Sequence, residues 1–148
     1  MNDSIKEFQG EFRWLSNFQP FETPMQYSIW KFNTLENFYV AMKTEDGYHR
    51  QKVSTMTPAE AKRYGRYLPL RGNWDQIKLE VMLFGLRYKF SDMNPTLKKK
   101  LLSTGDCTIE EGNNWGDIFW GVDNFTRAGD NHLGRLLMQV RKEIQSGK

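Results

Sequence analysis

An amphipathic segment close to the C-terminus is the strongest constraint on how this chain folds. Apolar residues recur there at the i, i+3, i+4, i+7 and i+11 spacing of a single helix face. These residues are Leu133, Leu136, Leu137, Val140 and Ile144. The pattern predicts a helix over about residues 131–145 whose apolar stripe belongs to the hydrophobic core.

Capping and breaking signals predict further helices upstream. Thr57-Pro58-Ala59-Glu60 combines a threonine N-cap, proline at N1 and glutamate at N3, a typical helix start. The other predicted helices run from the Thr34 cap to about Met42, from the Asn73 cap through 74–90, and from Asn94-Pro95 to a stop at Gly105. Apolar residues lie on more than one side of the 74–90 segment, so we expect that helix to be central and largely buried.

Strand signals are fewer. Residues 28–33 alternate apolar and polar side chains, residues 5–12 alternate weakly, and 108–110 and 118–120 are candidate short strands. Residues 14–20, between the first two of these segments along the chain, are predicted to form a loop. Several helices and few strands, without a regular βαβ order, predict a helix-rich α+β fold with a small β-sheet. No linker, repeat or break in composition divides the chain, so we expect residues 1–148 to form a single domain.

The composition limits the classes of function. The chain has 148 residues, of which 39% are hydrophobic and 26% charged, as expected of a globular domain with a real core. Aromatic residues make up 14%, more than a core of this size needs, so some of them are expected to line a pocket. The net charge of +3 is compatible with phosphate-bearing substrates but too small to diagnose nucleic-acid binding.

Metal, cofactor and membrane signals are weak in this sequence. One cysteine, Cys107, excludes an internal disulfide or cysteine-based zinc site, and His49 and His132 are too few for a histidine-rich metal centre. There is no phosphate loop or dinucleotide fingerprint. We therefore expect no metal and no cofactor. No apolar run approaches membrane-spanning length and the first residues do not resemble a signal peptide, so a cytoplasmic location is predicted.

Two acids and a lysine are the most informative candidates for chemistry. Glu36 and Lys43 are seven residues apart in a predicted helix, which places both side chains on one face with Cα atoms about 10 Å apart. Asp117, framed by Gly116 and by two tryptophans, supplies a second carboxylate. A lysine, carboxylates and aromatic walls fit chemistry at a glycosidic carbon, where positive charge develops as the bond breaks.

Each catalytic candidate also has a structural alternative. An acid is favourable in the first turn of a helix, where Glu36 is predicted, and a cation is favourable at the C-terminal end, where Lys43 is predicted. Asp117 follows a glycine, and aspartate is a common turn residue.

The binding candidates have alternatives of the same kind. Trp74 or Trp120 is expected to stack on the base or sugar. The alternative for Trp74 is a core position, because it begins an apolar helix. Asn17 bonds either a ribose hydroxyl or its own backbone. Arg66, with Lys62, binds a substrate phosphate or is an ordinary surface charge.

Short motifs spread from residue 12 to 141 together resemble the YbiA-like, or NADAR, family. The first half contributes Leu15-Ser16-Asn17-Phe18, Glu36 with Ala41 and Lys43, Thr57-Pro58, Ala61-Lys62, Gly65-Arg66, and Trp74 with Met82 and Lys89-Phe90. The second half contributes Thr104-Gly105-Asp106, Glu111, Trp115-Gly116-Asp117, Trp120-Gly121, and Asn131 with Leu133-Gly134, Leu137-Met138 and Arg141. The family leads us to expect a glycine-rich stretch just before Asn131. Residues 122–126 depart from that pattern, and this departure bears on substrate specificity.

The resemblance implies an α+β fold and N-glycosidase activity on nucleotide-like substrates. The implied substrates are phosphorylated aminopyrimidine intermediates of riboflavin synthesis or ADP-ribosylated guanine, free or in nucleic acid, the latter with a lysine–sugar adduct. Matched by motif, Glu36, Lys43, Trp74 and Asp117 are the implied functional positions. Two other classes remain open: a non-catalytic nucleotide or ADP-ribose sensor, and a nucleic-acid-binding protein. Protein partners are not indicated.

Overall fold

The computed structural model describes residues 4–147 and confirms the helix-rich α+β class. Within that range the chain forms six α-helices, one 3-10 helix and three two-stranded sheets. The residues form two compact units. We call Asn17–Pro95 the central unit, and the segments 4–16 and 96–147 together the terminal unit.

The terminal unit is built on the predicted C-terminal helix. α6 (His132–Gln145) buries Leu133, Leu137 and Val140, while Leu136 and Ile144 are half-buried at the margin of the stripe. The other elements of this unit are β1 (Ser4–Ile5), the 3-10 helix (Gly10–Leu15), α5 (Pro95–Ser103, whose first residue belongs to the central unit), β4 (Thr108–Ile109), β5 (Gly112–Asn113) and β6 (Val122–Asp123). β1 pairs in parallel with β4, and β5 pairs in parallel with β6.

The central unit consists of a hairpin followed by four helices. β2 (Pro20–Tyr27) and β3 (Trp30–Thr34) are antiparallel, with Met25 opposite Phe32, and both of these side chains are buried. α1 (Leu35–Ala41) follows β3 without a loop. The remaining helices are α2 (Gly47–Ser54), α3 (Pro58–Gly65) and α4 (Trp74–Lys89).

The caps predicted at Thr34 and Thr57 form, whereas the cap predicted at Asn73 does not, because the Asn73 side chain accepts a hydrogen bond from Arg71 Nε and makes none to the start of α4. The Thr34 side chain accepts a hydrogen bond from the Asn37 amide at the start of α1. At the start of α3, Thr57 and Glu60 form a reciprocal capping box behind Pro58. Gly105 has a φ of +61°, which suits a glycine that ends the turn after α5.

Weak alternation was a poor guide to strands. Of the strand predicted over residues 5–12, only Ile5 lies in a strand, as the second residue of β1, and the 3-10 helix begins at Gly10. Residues 118–120 form a turn because the Asp117 carboxylate accepts two backbone N–H groups there, which excludes a strand. β2 and α2 are not predicted by the sequence.

α4 is less buried than its apolar content predicts. Met82 and Leu86 are in the core, but Phe84 is 54% exposed and Leu79 37% exposed. Only one face of the helix is covered, so the prediction of a largely buried helix was wrong. In the described part of the chain, no helix is both long and apolar enough to span a membrane.

Candidate active site

The first turn of α1 places Glu36 beside a loop of the central unit. Its backbone N–H donates a hydrogen bond to the Asn17 carbonyl oxygen at 3.0 Å, which ties the loop to the start of the helix. The Thr34 hydroxyl also holds this turn, since it donates to Asn37 Oδ1 and accepts from the Asn37 N–H. The half-buried Glu36 carboxylate is therefore carried by backbone fixed at both flanks.

Lys43 lies beyond the helix on which it was predicted. α1 ends at Ala41, and Lys43 follows in a turn in which its N–H donates to the Val40 carbonyl oxygen at 3.1 Å. The Lys43 carbonyl oxygen accepts a hydrogen bond from the Arg71 N–H at 2.8 Å. The prediction of one continuous helix face for Glu36 and Lys43 was wrong, because the helix ends two residues too early.

The side chain of Lys43 nevertheless returns to the same neighbourhood. It is half-buried, and its Nζ lies 5.6 Å from the centroid of the Tyr39 ring. A Cβ placed on Gly65 would stand 3.4 Å from this Nζ, so the amine also lies against the last residue of α3.

The surroundings of Lys43 favour the neutral form of its amine. Burial is the main cause that lowers the pKa of Lys43 below its ordinary value, and the positive charges of Lys62 and Lys78 lower it further. The Glu36 carboxylate opposes this and raises the pKa, so the two predicted partners do interact electrostatically. A lysine with a lowered pKa carries more neutral, nucleophilic amine at neutral pH.

Asn17 presents a buried acceptor in the same unit. Its Nδ2 lies 3.7 Å from the Met82 sulfur, and its Oδ1 is buried with no hydrogen-bond partner among residues 4–147. A buried carbonyl oxygen without a donor is unfavourable unless a ligand supplies one. The alternative predicted for Asn17, in which its side chain hydrogen-bonds to its own backbone, does not occur in the structure.

The other two binding candidates of the central unit differ in accessibility. Trp74 is only 5% exposed and packs edge-to-face on Tyr39, with ring centroids 5.1 Å apart. Arg66 is exposed and caps the C-terminal end of α3. Trp74 therefore supports the aromatic ring that faces Lys43, and Arg66 is available at the surface.

Asp117 and Trp120 belong to the terminal unit. Asp117 Oδ1 accepts hydrogen bonds from the N–H groups of Phe119 (3.2 Å) and Trp120 (2.9 Å). The Asp117 N–H donates to Asn113 Oδ1 at 3.0 Å. Trp120 is half-buried and packs edge-to-face on Phe119. The turn role foreseen as the alternative for Asp117 is thus real, and one carboxylate oxygen takes part in it.

Two neighbours of Lys43 were not identified from the sequence. Tyr39 stands three residues after Glu36 and four before Lys43, a helical spacing that could have indicated a shared face. Lys78, on α4, is far away in sequence and carries no such signal. Among residues 4–147, no group of three or more histidine, cysteine, aspartate or glutamate side chains is arranged to hold a metal ion.

Known proteins match this chain along almost its whole length. The NADAR domain model matches residues 5–145. A riboflavin biosynthesis protein of Vibrio vulnificus is 37% identical over 134 residues, which are 88% of this chain and 35% of that protein. This chain therefore spans about a third of the length of the Vibrio relative.

Two N-glycosidases match over most of their own length. One, from Nostoc punctiforme, is 35% identical and covers 88% of this chain and 85% of its own. The other, YbiA of Escherichia coli K12, is 32% identical and covers 97% and 91%. The NMR structure of the E. coli protein YbiA matches with a TM-score of 0.84 at 31% identity, over 99% of this chain and 88% of that one.

These relatives are hydrolases of N-glycosyl compounds, and this chain is an enzyme of that class. It belongs to the NADAR family.

Proposed function

We propose that this enzyme hydrolyses the C–N glycosidic bond of a ribose-phosphate or ADP-ribose conjugate, with the amine of Lys43 as its nucleophile or electrostatic partner. The observation that carries the proposal is the interaction of Lys43 with Glu36 at a half-buried position where burial favours the neutral amine. A lysine that only capped α1 would gain nothing from such burial, because the helix C-terminus favours the charged form.

In the covalent version of the reaction, Lys43 displaces the base. The neutral Nζ attacks the anomeric carbon, the C–N glycosidic bond breaks, and its electron pair leaves with the base nitrogen, which takes up a proton. Loss of the Nζ proton and opening of the sugar ring convert the adduct into a Schiff base. Water then hydrolyses the Schiff base, which releases the sugar and restores the amine.

Carboxylates stabilise the positive charge that develops on the sugar during bond cleavage. Glu36 is assigned this role because its charge already acts on Lys43. Asp117 enters the proposal as the second acid through its motif, Trp115-Gly116-Asp117, and shares acid–base work with Glu36.

Several groups are proposed to bind the substrate. The unpartnered Oδ1 of Asn17 accepts a hydrogen bond from a ribose hydroxyl. Lys62 on α3 and Arg66 at the C-terminal cap of α3 bind phosphate oxygens, and Lys62 adds positive charge at Lys43. Trp120 is proposed to stack on the base, and Trp74 supports Tyr39, the aromatic ring beside Lys43.

Two substrate classes fit the proposal. The Vibrio relative is named a riboflavin biosynthesis protein, which supports a phosphorylated aminopyrimidine riboside. ADP-ribosylated guanine follows from the resemblance to the family. Both contain a ribosyl C–N bond and a phosphate, so the same residues serve either one.

Mass spectrometry with a borohydride trap tests the reaction. Purified enzyme is mixed with the aminopyrimidine riboside phosphate or with ADP-ribosylated guanine DNA, and sodium borohydride is added to reduce any Schiff base. We expect released base with at least one substrate and a sugar adduct that maps to Lys43. The faster substrate identifies the class.

Controls separate the nucleophile from other lysines. Lys43→Met should abolish the adduct, whereas Lys99→Met, a change of an exposed lysine on α5, should leave it unchanged. Base release with no adduct at Lys43 would restrict this lysine to an electrostatic role. Stoichiometric binding with no product from either substrate would overturn the proposal in favour of a sensor.

A further inference from the structure

Asn113, the second residue of β5, holds the backbone of Asp117 through its side chain. Asn113 is only 1% exposed. Its Oδ1 accepts a hydrogen bond from the Asp117 N–H at 3.0 Å, and its Nδ2 donates to the Asp117 carbonyl oxygen at 2.9 Å. One buried carboxamide therefore binds both backbone hydrogen-bonding groups of Asp117.

The carboxylate of Asp117 is bound at one oxygen and available at the other. Oδ1 accepts the N–H groups of Phe119 and Trp120, whereas no hydrogen bond or ion pair reaches Oδ2 among residues 4–147. Asp117 as a whole is half-buried. Because its backbone and Oδ1 are both fixed, the direction in which Oδ2 leaves the turn is fixed as well.

We propose that Asn113 is a positioning residue for Asp117: its carboxamide clamps the backbone of residue 117 and so aims the unbound carboxylate oxygen at the substrate. This positioning role rests on the acid–base role proposed for Asp117. A reacting group that is misplaced by about 1 Å can cost roughly 10²-fold in rate, so such a clamp matters for catalysis.

The chemistry of the side chain explains why asparagine serves here. A carboxamide offers one acceptor oxygen and two N–H donors. The donors are used on the Asp117 carbonyl oxygen and on Glu111 Oε1, the latter at 3.0 Å. An aspartate of the same shape would lack both donors, and a serine hydroxyl has only one proton to donate. Asn113 therefore acts through bonds within the protein and not by contact with the substrate.

Asn113 is itself anchored outside the turn that it holds. It pairs with Asp123 across β5 and β6, and its carbonyl oxygen accepts a hydrogen bond from the Asn124 N–H at 2.9 Å. Gly121 approaches the same network closely. A Cβ added to it would collide with the Glu111 carboxylate and stand 2.8 Å from Asn113 Nδ2. The strand pair thus supplies the fixed frame against which the turn is held.

Hydrogen exchange tests the geometry without any substrate. The Phe119 and Trp120 amides, whose protons are donated to Asp117 Oδ1, are followed by NMR in the parent protein and in Asn113→Ala. We expect both amides to exchange at least about tenfold faster in the variant, because the turn opens more often without its clamp. Unchanged exchange at both amides in the folded variant would overturn the proposal.

A buried asparagine of the central unit provides a matched control. Asn94 is fully buried, accepts two backbone N–H groups through Oδ1 and donates to the Tyr88 carbonyl oxygen. Asn94→Ala should lower the melting temperature as Asn113→Ala does, but leave exchange in the Asp117 turn unchanged. Equal acceleration in both variants would show a general loss of stability and would overturn the positioning role.

Kinetics in two backgrounds test whether Asn113 acts through Asp117. On the faster of the two substrates of the borohydride experiment, we expect Asn113→Ala to lower kcat by at least about tenfold with KM within about twofold. In the Asp117→Asn background, which keeps the turn but lacks the acid, the same change should lower kcat by less than about twofold. The melting temperature should fall equally in both backgrounds.

The possible outcomes separate this proposal from the acid role of Asp117. An equal loss of kcat in both backgrounds, or full turnover in folded Asn113→Ala, would overturn the positioning role and leave the acid role standing. Full turnover in Asp117→Asn would remove the acid from the proposed function and the positioning role with it. If the alanine variant does not fold, Asn113→Ser, which retains a hydroxyl, takes its place in the same measurements.

Discussion

At the scale of single residues, two opposing effects set the pKa of Lys43. Burial and the charges of Lys62 and Lys78 favour the neutral amine, and Glu36 favours the ammonium form. Because the first influences are larger, the pKa of Lys43 in the folded protein lies below its value in the unfolded chain. The folded state thus binds fewer protons than the unfolded state between the two pKa values, and stability increases with pH across that interval.

Replacing Lys43 should accordingly separate activity from stability. At neutral pH the charged amine is unfavourable in the fold, so we expect Lys43→Met to raise the melting temperature. The advantage should shrink as the pH rises through the lowered pKa of Lys43 toward 10.5. Turnover should fall by at least about 10³-fold, the scale of losing a nucleophile. Melting curves at pH 6, 8 and 10 measure the effect. A lower melting temperature at pH 6 would show that pairing with Glu36 outweighs burial.

A substitution of Asp117 can separate its role in the turn from its proposed role in acid–base chemistry. Asn preserves the Oδ1 atom that accepts the N–H groups of Phe119 and Trp120 but removes the charge. We expect Asp117→Asn to keep the melting temperature and to lose about 10²-fold or more in turnover, as expected for an acid–base group. Thermal unfolding and steady-state kinetics test this together. Full activity in the folded variant would leave Asp117 as a turn residue only.

At the scale of elements, one end of α6 is clamped by side-chain hydrogen bonds. Asn131, which precedes α6 with a φ of +53°, donates from Nδ2 to the Ile109 carbonyl oxygen at 2.9 Å. Its Oδ1 accepts from the Glu111 N–H at 3.0 Å. Asparagine tolerates the left-handed conformation better than most residues, which suits it to this junction.

Gly134 makes that clamp possible, and its replacement should be severe. A Cβ there would stand 2.2 Å from the Ile109 carbonyl oxygen and 2.5 Å from Asn131 Nδ2. Since a backbone atom in a strand cannot move aside cheaply, we expect Gly134→Ala to destabilise the protein by about 3 kcal/mol or more. Urea denaturation measures the change, with Gly72→Ala as a control expected within about 0.5 kcal/mol of the parent. An equal, small effect for both would contradict the close contact.

At the scale of the whole molecule, charge predicts how substrate binding depends on salt. The net charge is only +3, and a nucleotide-like substrate presents few phosphates. A protein that neutralises six to ten phosphates loses about 10³- to 10⁵-fold in affinity between roughly 50 and 200 mM salt. For the riboside phosphate we expect KM to rise less than about tenfold over that range. Steady-state kinetics at several salt concentrations test this, and a steeper rise would show that more ionic contacts hold the substrate than one phosphate group provides.

The family match extends from residue 5 to residue 145 and so includes both compact units. The central unit contributes Glu36, Lys43 and Asn17 to the proposal, and the terminal unit contributes Asp117 and Trp120. Sequence motifs identified candidates in both units because each motif is a short local pattern.

Interactions confined to a few neighbouring residues were readable from the sequence. The Thr57 capping box, the Thr34 cap and the apolar stripe of α6 depend on side chains within one or two helical turns, so their patterns predict their structures. The end of α1 at Ala41, the exposed face of α4 and the turn at Asp117 depend on what packs against each segment. The same holds for Lys43, whose surroundings combine α1 with Gly65 and Lys62 from α3 and Lys78 from α4. The lowered pKa of Lys43 follows from burial among residues distant in sequence, because desolvation exists only once those helices have come together.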